Sequence, residues 1–162
     1  MQDKPNITTG TQAENYVAEE LAKLGAWVGN FNKSNTGAQP FDQVAITKNF
    51  TWCYDAKHSM INRFDFRRIE DNQQLALDYI NSLENPNVIV GFAIVYEGEI
   101  FFLSYYKYLQ LKAESRKSVR ITDLENMLDI LVRIEEVVAW LKLVVKLKLQ
   151  SPFAVNKKTQ LL

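Results

Sequence analysis

The sequence predicts an α/β domain: a mixed β-sheet flanked by α-helices, with a helical extension at the C-terminal end. Three observations carry this. Segments of helical and strand periodicity follow in the order helix, three strands, helix, two strands, helices. The run Val88–Tyr96 is nearly continuous apolar chain, which suits a strand covered on both faces. A chain of 162 residues, 47% of them hydrophobic, supplies one core that buries roughly 70% of the unfolded surface. Residues 1–150 are therefore expected to form a single domain and residues 151–162 a flexible tail.

The first helix is expected to follow Gly10, with Thr11 as N-cap, Glu14 completing a capping box, and Val17, Leu21 and Leu24 at helical spacing. Gly25 stops it. Ala26 to Phe31 reads as a short strand and Asn32 to Gln39 as a polar loop. Phe41 to Thr47 and Phe50 to Lys57 read as two strands joined by a two-residue turn at Lys48-Asn49. A second helix is expected from Phe66 to Leu83, ended by Asn85-Pro86-Asn87. Val88–Tyr96 then turns through Glu97-Gly98-Glu99 into the strand Ile100–Leu103. Tyr105–Ala113 follows as a helix, Arg116-Lys117-Ser118 as a polar connector, and a last helix from about Asp123. From Leu141 to Leu149, alternating Lys and Leu fits helix or strand; helix is the reading adopted.

Composition narrows the chemistry. No apolar run is long enough to span a membrane, and the start of the chain lacks the pattern of a signal peptide, so a cytoplasmic protein is expected, without a membrane partner. One cysteine, Cys53, and one histidine, His58, exclude a disulfide framework and zinc sites built from several such ligands. Any metal is thus held mainly by oxygen. The 19 basic and 19 acidic side chains cancel, yet they are segregated. Residues 71–100 carry five acidic groups and no basic ones, whereas residues 101–162 carry eleven basic and six acidic. A basic surface patch is compatible with zero net charge.

The most informative residues are Asp42, Asp55 and Lys57. Strand alternation sends Thr51, Cys53, Asp55 and Lys57 to one face and Trp52, Tyr54 and Ala56 to the other. With Lys48-Asn49 as the turn, 44 pairs with 53 and 42 lies opposite 55. Two carboxylates at the roughly 4.5–5.5 Å spacing of opposed strand residues repel unless a cation lies between them. Lys57 is one such cation. The geometry also suits a divalent ion, with Mg²⁺ the leading candidate and Mn²⁺ a possible substitute, because Mg²⁺ uses one or two carboxylates and fills its shell with water and phosphate oxygens. An acid two residues before a lysine is by itself an ordinary surface ion pair; Asp42, the register and Pro40 change that reading.

Pro40-Phe41-Asp42, twelve further residues, then Asp55-Ala56-Lys57 resembles the PD-(D/E)XK nuclease motif. Within that superfamily the chain resembles the RecU-type Holliday junction resolvases, with archaeal-type resolvases as more distant relatives. The resemblance runs from about Gly10 to Ile121. It includes Gln74 on the helix after the motif and the basic stretch Arg116-Lys117-Ser118-Val119. It implies a restriction-endonuclease-like fold, with residues 1–150 as the nuclease domain. It implies that Asp42, Asp55 and the Ala56 carbonyl bind Mg²⁺, that Lys57 is the catalytic lysine, and that Glu14 reaches the same site. It further implies DNA contacts by Gln74, Arg116 and Lys117, and a homodimer that places paired nicks in four-way DNA junctions. The chain departs from the RecU pattern in having Pro40 and Phe41 where threonines are usual, and Asp55 where glutamate is commoner.

Some residues carry two readings. Glu14 serves equally as helix cap or catalytic group. Lys33 and Asn35, in the polar loop, are either phosphate contacts or solvated residues. Arg63, Arg67 and Arg68 are either an exposed helix start or a phosphate-contacting patch. The function itself has alternatives: a restriction-like or flap-directed nuclease, or a non-catalytic DNA-binding protein on the same fold.

Overall fold

In the computed structural model, the described residues are 5, 7–31 and 39–150, with side chains up to 146. Lys33, Asn35 and the expected tail 151–162 lie outside them. The elements in chain order are α1 (Gly10–Lys23), β1 (Trp27–Asn30), β2 (Gln43–Ile46), β3 (Thr51–His58), β4 (Phe64–Asp65), α2 (Asp71–Ser82), β5 (Val88–Tyr96), β6 (Glu99–Ser104), α3 (Tyr105–Ala113), β7 (Ser118–Val119), β8 (Glu125–Asn126) and α4 (Met127–Gln150).

The main sheet has the strand order β1-β2-β3-β5-β6-β8. Only β3 and β5 run parallel; the other neighbours are antiparallel. The parallel pair is connected through α2, because two parallel strands cannot be joined by a tight turn. Central strands β3 and β5 are covered on both faces. Trp52, Tyr54, Ala56, Ala93 and Val95 pack with Ala13, Val17 and Leu21 of α1 and with Met127 and Leu131 of α4. On the other face Cys53, Phe92 and Ile94 pack with Leu77 of α2 and with Tyr105, Tyr108 and Leu111 of α3. The apolar run Val88–Tyr96 is buried on both sides for this reason, and Gly91 within it is crowded: a Cβ there would lie 2.4 Å from the Leu103 carbonyl oxygen.

The expected hairpin register is observed. Val44 opposes Cys53 and Gln43 opposes Tyr54, and Thr47 N–H donates to the Phe50 carbonyl at 2.8 Å. The second hairpin turns at Glu97-Gly98, both at positive φ (49° and 72°), the conformation that matches the twist of the flanking strands.

Three expectations are corrected. The first helix is capped by Thr9: its Oγ1 accepts from Gln12 N–H at 3.2 Å, while Gln12 Oε1 accepts from Thr9 N–H at 3.1 Å. The capping box is thus Thr9–Gln12, two residues earlier than expected, and Glu14 is not its partner. The second helix does not start at Phe66. The Phe66 N–H donates to the Lys117 carbonyl at 2.9 Å as β4 pairs with β7; a single 3₁₀ turn, Phe66–Arg68, follows, and α2 starts only at Asp71. The last helix starts at Met127 rather than about Asp123, because a 3₁₀ turn (Ile121–Asp123) and β8 come first; Met127 and Leu131 are in the core, but Leu141 and Val145 are exposed. Residues 141–150 are helical. No helix among the described residues is long and apolar enough to cross a membrane.

Candidate active site

Strand β2 begins at Gln43, so β3 outruns it, and from Ala56 onward one edge of β3 has no strand partner among the described residues. Alternate residues of β3 turn their main-chain groups to alternate sides. Thr51 and Ser59 donate toward the β5 side, to the Asn87 and Val95 carbonyls. Ala56 therefore points its N–H and C=O toward the vacated edge. Asp42 fills the place where the next ladder bond would form: its Oδ2 accepts from Ala56 N–H at 2.9 Å. Gln39 Nε2 donates to Asp42 Oδ1 at 3.0 Å, and Asn72 Nδ2 of α2 holds the Gln39 carbonyl at 2.6 Å.

Asp55 is fully buried on the face covered by α2. Lys57 Nζ stands 2.5 Å from its Oδ2, with the lysine side chain 14% exposed. Oδ2 receives no aligned hydrogen bond. Gln73 Nε2 donates to Asp55 Oδ1 at 2.6 Å, while Gln73 Oε1 accepts from Lys57 Nζ at 3.3 Å and from Glu70 N–H at 3.2 Å. One amide thus ties the carboxylate, the ammonium and the start of α2 together. Burial raises the Asp55 pKa to about 8; the Lys57 charge opposes the shift, and the Asp42 carboxylate, close enough to share a hydrogen bond, adds to it. Tyr54, on the other face, is also pushed up by burial and by Asp42.

The structure therefore brings Asp42, Asp55, Lys57 and the Ala56 main chain together. It does not bring Gln74 there. Gln74 Oε1 accepts from Tyr108 Oη and Lys112 Nζ, each at 3.1 Å, and so faces α3. Its neighbour Gln73 holds the place beside the carboxylates. The available sequence signal was helical phase: Gln73 and Leu77 are four apart and are the buried residues of α2. Gln39 and Asn72, which set the Asp42 carboxylate, carried no sequence signal.

Glu14 is joined to this region through its main chain. Gln43 Nε2 donates to the Glu14 carbonyl at 2.9 Å and to Asn30 Oδ1 at 2.7 Å, tying one turn of α1 to the residue after Asp42. Arg116 and Lys117 are exposed where α3 runs into β7. Pairing of β7 with β4 sets them beside the chain that carries Arg63, Arg67 and Arg68, so two basic segments distant in sequence converge. Cys53 is buried, and its thiol is pushed up by that burial. It is a packing residue.

The donor set fits a hard divalent cation. Two carboxylates lie close together beside the Ala56 main chain, and a buried Asp55 oxygen lacks an aligned donor. No group of three or more His, Cys, Asp or Glu side chains placed for a metal occurs among the described residues. Two carboxylates are the complement Mg²⁺ commonly uses, whereas a structural zinc site needs four ligands.

The chain shares its fold, a mixed, mostly antiparallel sheet between helices, with a solved nuclease. One solved structure that shows this is Hjc of Archaeoglobus fulgidus, a Holliday junction resolvase from an archaeal hyperthermophile. The two superpose with a TM-score of 0.53 at 13% identity, over 74% of this chain and 96% of that one. The likeness is one of fold. No family model and no curated protein matches the chain.

Proposed function

We propose that this chain is a Mg²⁺-dependent endonuclease that hydrolyses phosphodiester bonds in branched DNA, resolving Holliday junctions by paired nicks as an intracellular homodimer. The observation that carries the reading is the buried Asp55, held by Lys57 and Gln73 and apposed to Asp42 at the open edge of β3, on a fold shared with a junction resolvase. The RecU-type motif spacing supports the same substrate.

Asp42, Asp55 and the Ala56 carbonyl hold the cation, with Mn²⁺ able to replace Mg²⁺. When bound, the cation supplies Lewis-acid stabilisation of the phosphate and a more acidic water. Gln73 fixes the Asp55 carboxylate in one orientation. Lys57 orients the attacking water or takes its proton, and Glu14 approaches from α1. Asp55 loses its proton as the cation binds. Arg116 and Lys117 contact phosphate, as do Lys33 and Asn35; Gln74 is engaged with α3. Exposed Val137, Trp140, Leu141 and Val145 on α4 support a second copy as partner, since an apolar stripe left open on a helix is a recurrent contact surface.

The test is Lys57→Ala on labelled four-way junctions with Mg²⁺. The folded variant is expected to lose cutting, and equal rates in variant and parent would sink the mechanism. Junction, flap and linear duplex substrates compared side by side separate a resolvase from a flap-directed or restriction-like nuclease. The Lys57–Asp55 ion pair also suits a non-catalytic DNA-binding protein in which the pair is merely structural. That reading requires that Mg²⁺ or Mn²⁺ binding, followed by calorimetry, be absent or independent of Asp42 and Asp55.

A further inference from the structure

Strand β3 leaves Lys57 and passes through His58 into a tight turn. Ser59 Oγ donates to the Ile61 carbonyl at 2.8 Å and to the Arg63 carbonyl at 3.1 Å, and Arg63 N–H returns to the Ile61 carbonyl at 2.6 Å. Asn62 and Thr122 exchange two hydrogen bonds, of 2.8 and 3.0 Å. The turn is thus fastened at its base and on its flank. At its tip Met60 and Ile61 are 77% and 59% exposed. Two adjacent apolar side chains held outward by a fastened turn gain nothing for folding.

Beside the tip lies a cleft of about 480 Å³, lined by His58, Ile61, Arg63, Asp65 and Arg68 among others. The structure sorts its arginines. Arg67 is spent on Asp65, which it meets at 2.7 and 3.0 Å, and that pair is neutral. Arg68 is braced by the His58 carbonyl at 2.7 Å and lies over the Phe64 ring at 5.7 Å, with further donors left for a ligand. Arg63 is exposed at the same cleft. The β4–β7 pairing brings the segment that carries Arg116 and Lys117 alongside. The cleft is therefore cationic, and its apolar lip starts three residues beyond Lys57, about 10 Å along the chain.

We propose that the turn Ser59–Arg63 is a wedge for branched DNA: Met60 and Ile61 enter an unstacked base step, while Arg63 and Arg68 hold the flanking phosphates in the cleft. The proposal rests on the nuclease reading of the neighbouring site and names how that site selects its substrate. Apolar side chains inserted between base pairs must separate them, at a cost of a few kcal/mol per step in intact duplex. At a branch point the stack is already broken, so the wedge favours branched over linear DNA without reading sequence. The arginines bind either form.

The experiment measures anisotropy of a labelled four-way junction and of a linear duplex of the same strands, in EDTA so that no cutting intervenes. Met60→Ser/Ile61→Ser is expected to lose about tenfold or more on the junction and little on the duplex. Met60→Leu/Ile61→Val keeps the preference. Arg63→Ala/Arg68→Ala weakens both substrates and lowers the salt slope by about two. Unchanged junction affinity in the serine variant, with parental circular dichroism, overturns the wedge, as does an equal loss on both substrates. Cleavage by the parent in Mg²⁺ is read separately. A parent that prefers junctions through the wedge yet cuts nothing removes the nuclease reading alone; a parent that cuts while the serine variant keeps its preference removes the wedge alone. A parent that binds neither DNA removes both.

Discussion

Gln73 Nε2 donates to Asp55 Oδ1 at 2.6 Å while the same amide's oxygen faces Lys57 Nζ at 3.3 Å. A neutral side chain from α2 therefore orients both the carboxyl and the ammonium group on β3. Asp55, at 0% exposure, depends on such partners because water cannot reach it.

Gln73→Leu should destabilise the protein by about 1–3 kcal/mol, the usual cost of leaving a buried polar group without its donor. Gln74→Ala, which disturbs only contacts with α3, should leave metal affinity at the parental level. Urea unfolding and Mg²⁺ calorimetry on both variants check this, and equal loss of metal affinity in the two would show that Gln73 has no special place.

The pH dependence of the metal-free protein has a definite sign. Asp55 titrates near pH 8 when folded, against an ordinary value of 3.8. Between these limits the folded chain holds a proton that the unfolded chain releases, so stability falls as pH rises from about 4 to about 8. Below and above that window this group adds no slope. Asp55→Asn should flatten the fall and leave the metal-free fold at least as stable at pH 8, while removing Mg²⁺ binding. Thermal unfolding in EDTA from pH 4 to 9 measures it; a parent whose stability rises across the window contradicts the assignment.

Gly91→Ala should be among the most damaging single-methyl additions. Its Cβ would meet the Leu103 carbonyl at 2.4 Å and the Phe102 ring at 2.7 Å, between strands that cannot part without breaking their ladder. A loss of about 1–3 kcal/mol or more is expected by urea unfolding. Gly10→Ala, where nothing lies within 4 Å, is the control and should be close to neutral.

Val137→Lys/Leu141→Lys on the exposed side of α4 should leave unfolding stability within about 0.5 kcal/mol, because neither side chain is in the core. Sedimentation should then show dissociation at concentrations where the parent is paired. A sedimentation coefficient equal to the parent's would assign the α4 stripe no part in association.

Much of this was legible before any coordinates. The bounds of β5 and α3, the hairpin register and the two faces of β3 follow from local rules: period-two alternation, a two-residue turn, an apolar run too long to leave open. The capping box falls two residues earlier than expected because Thr9 and Thr11 both satisfy the same local pattern, with Gln12 and Glu14 three residues on. The second helix starts later than the local pattern predicts because the pairing of Phe64-Asp65 with Ser118-Val119 joins segments more than fifty residues apart in the chain and commits the Phe66 N–H to Lys117. Gln74 is implied at the site only by the family resemblance, whereas the side of α2 that packs on β3 puts Gln73 there.

By itself the sequence determined the spacing of Asp42, Asp55 and Lys57 along one hairpin, because strand geometry is periodic and local. The tertiary structure alone decided that β2 stops one residue short and leaves the Ala56 edge to Asp42, that α2 buries Asp55 and raises its pKa, and that basic segments converge behind an apolar turn. Burial and long-range pairing depend on which elements meet, and no local pattern encodes that.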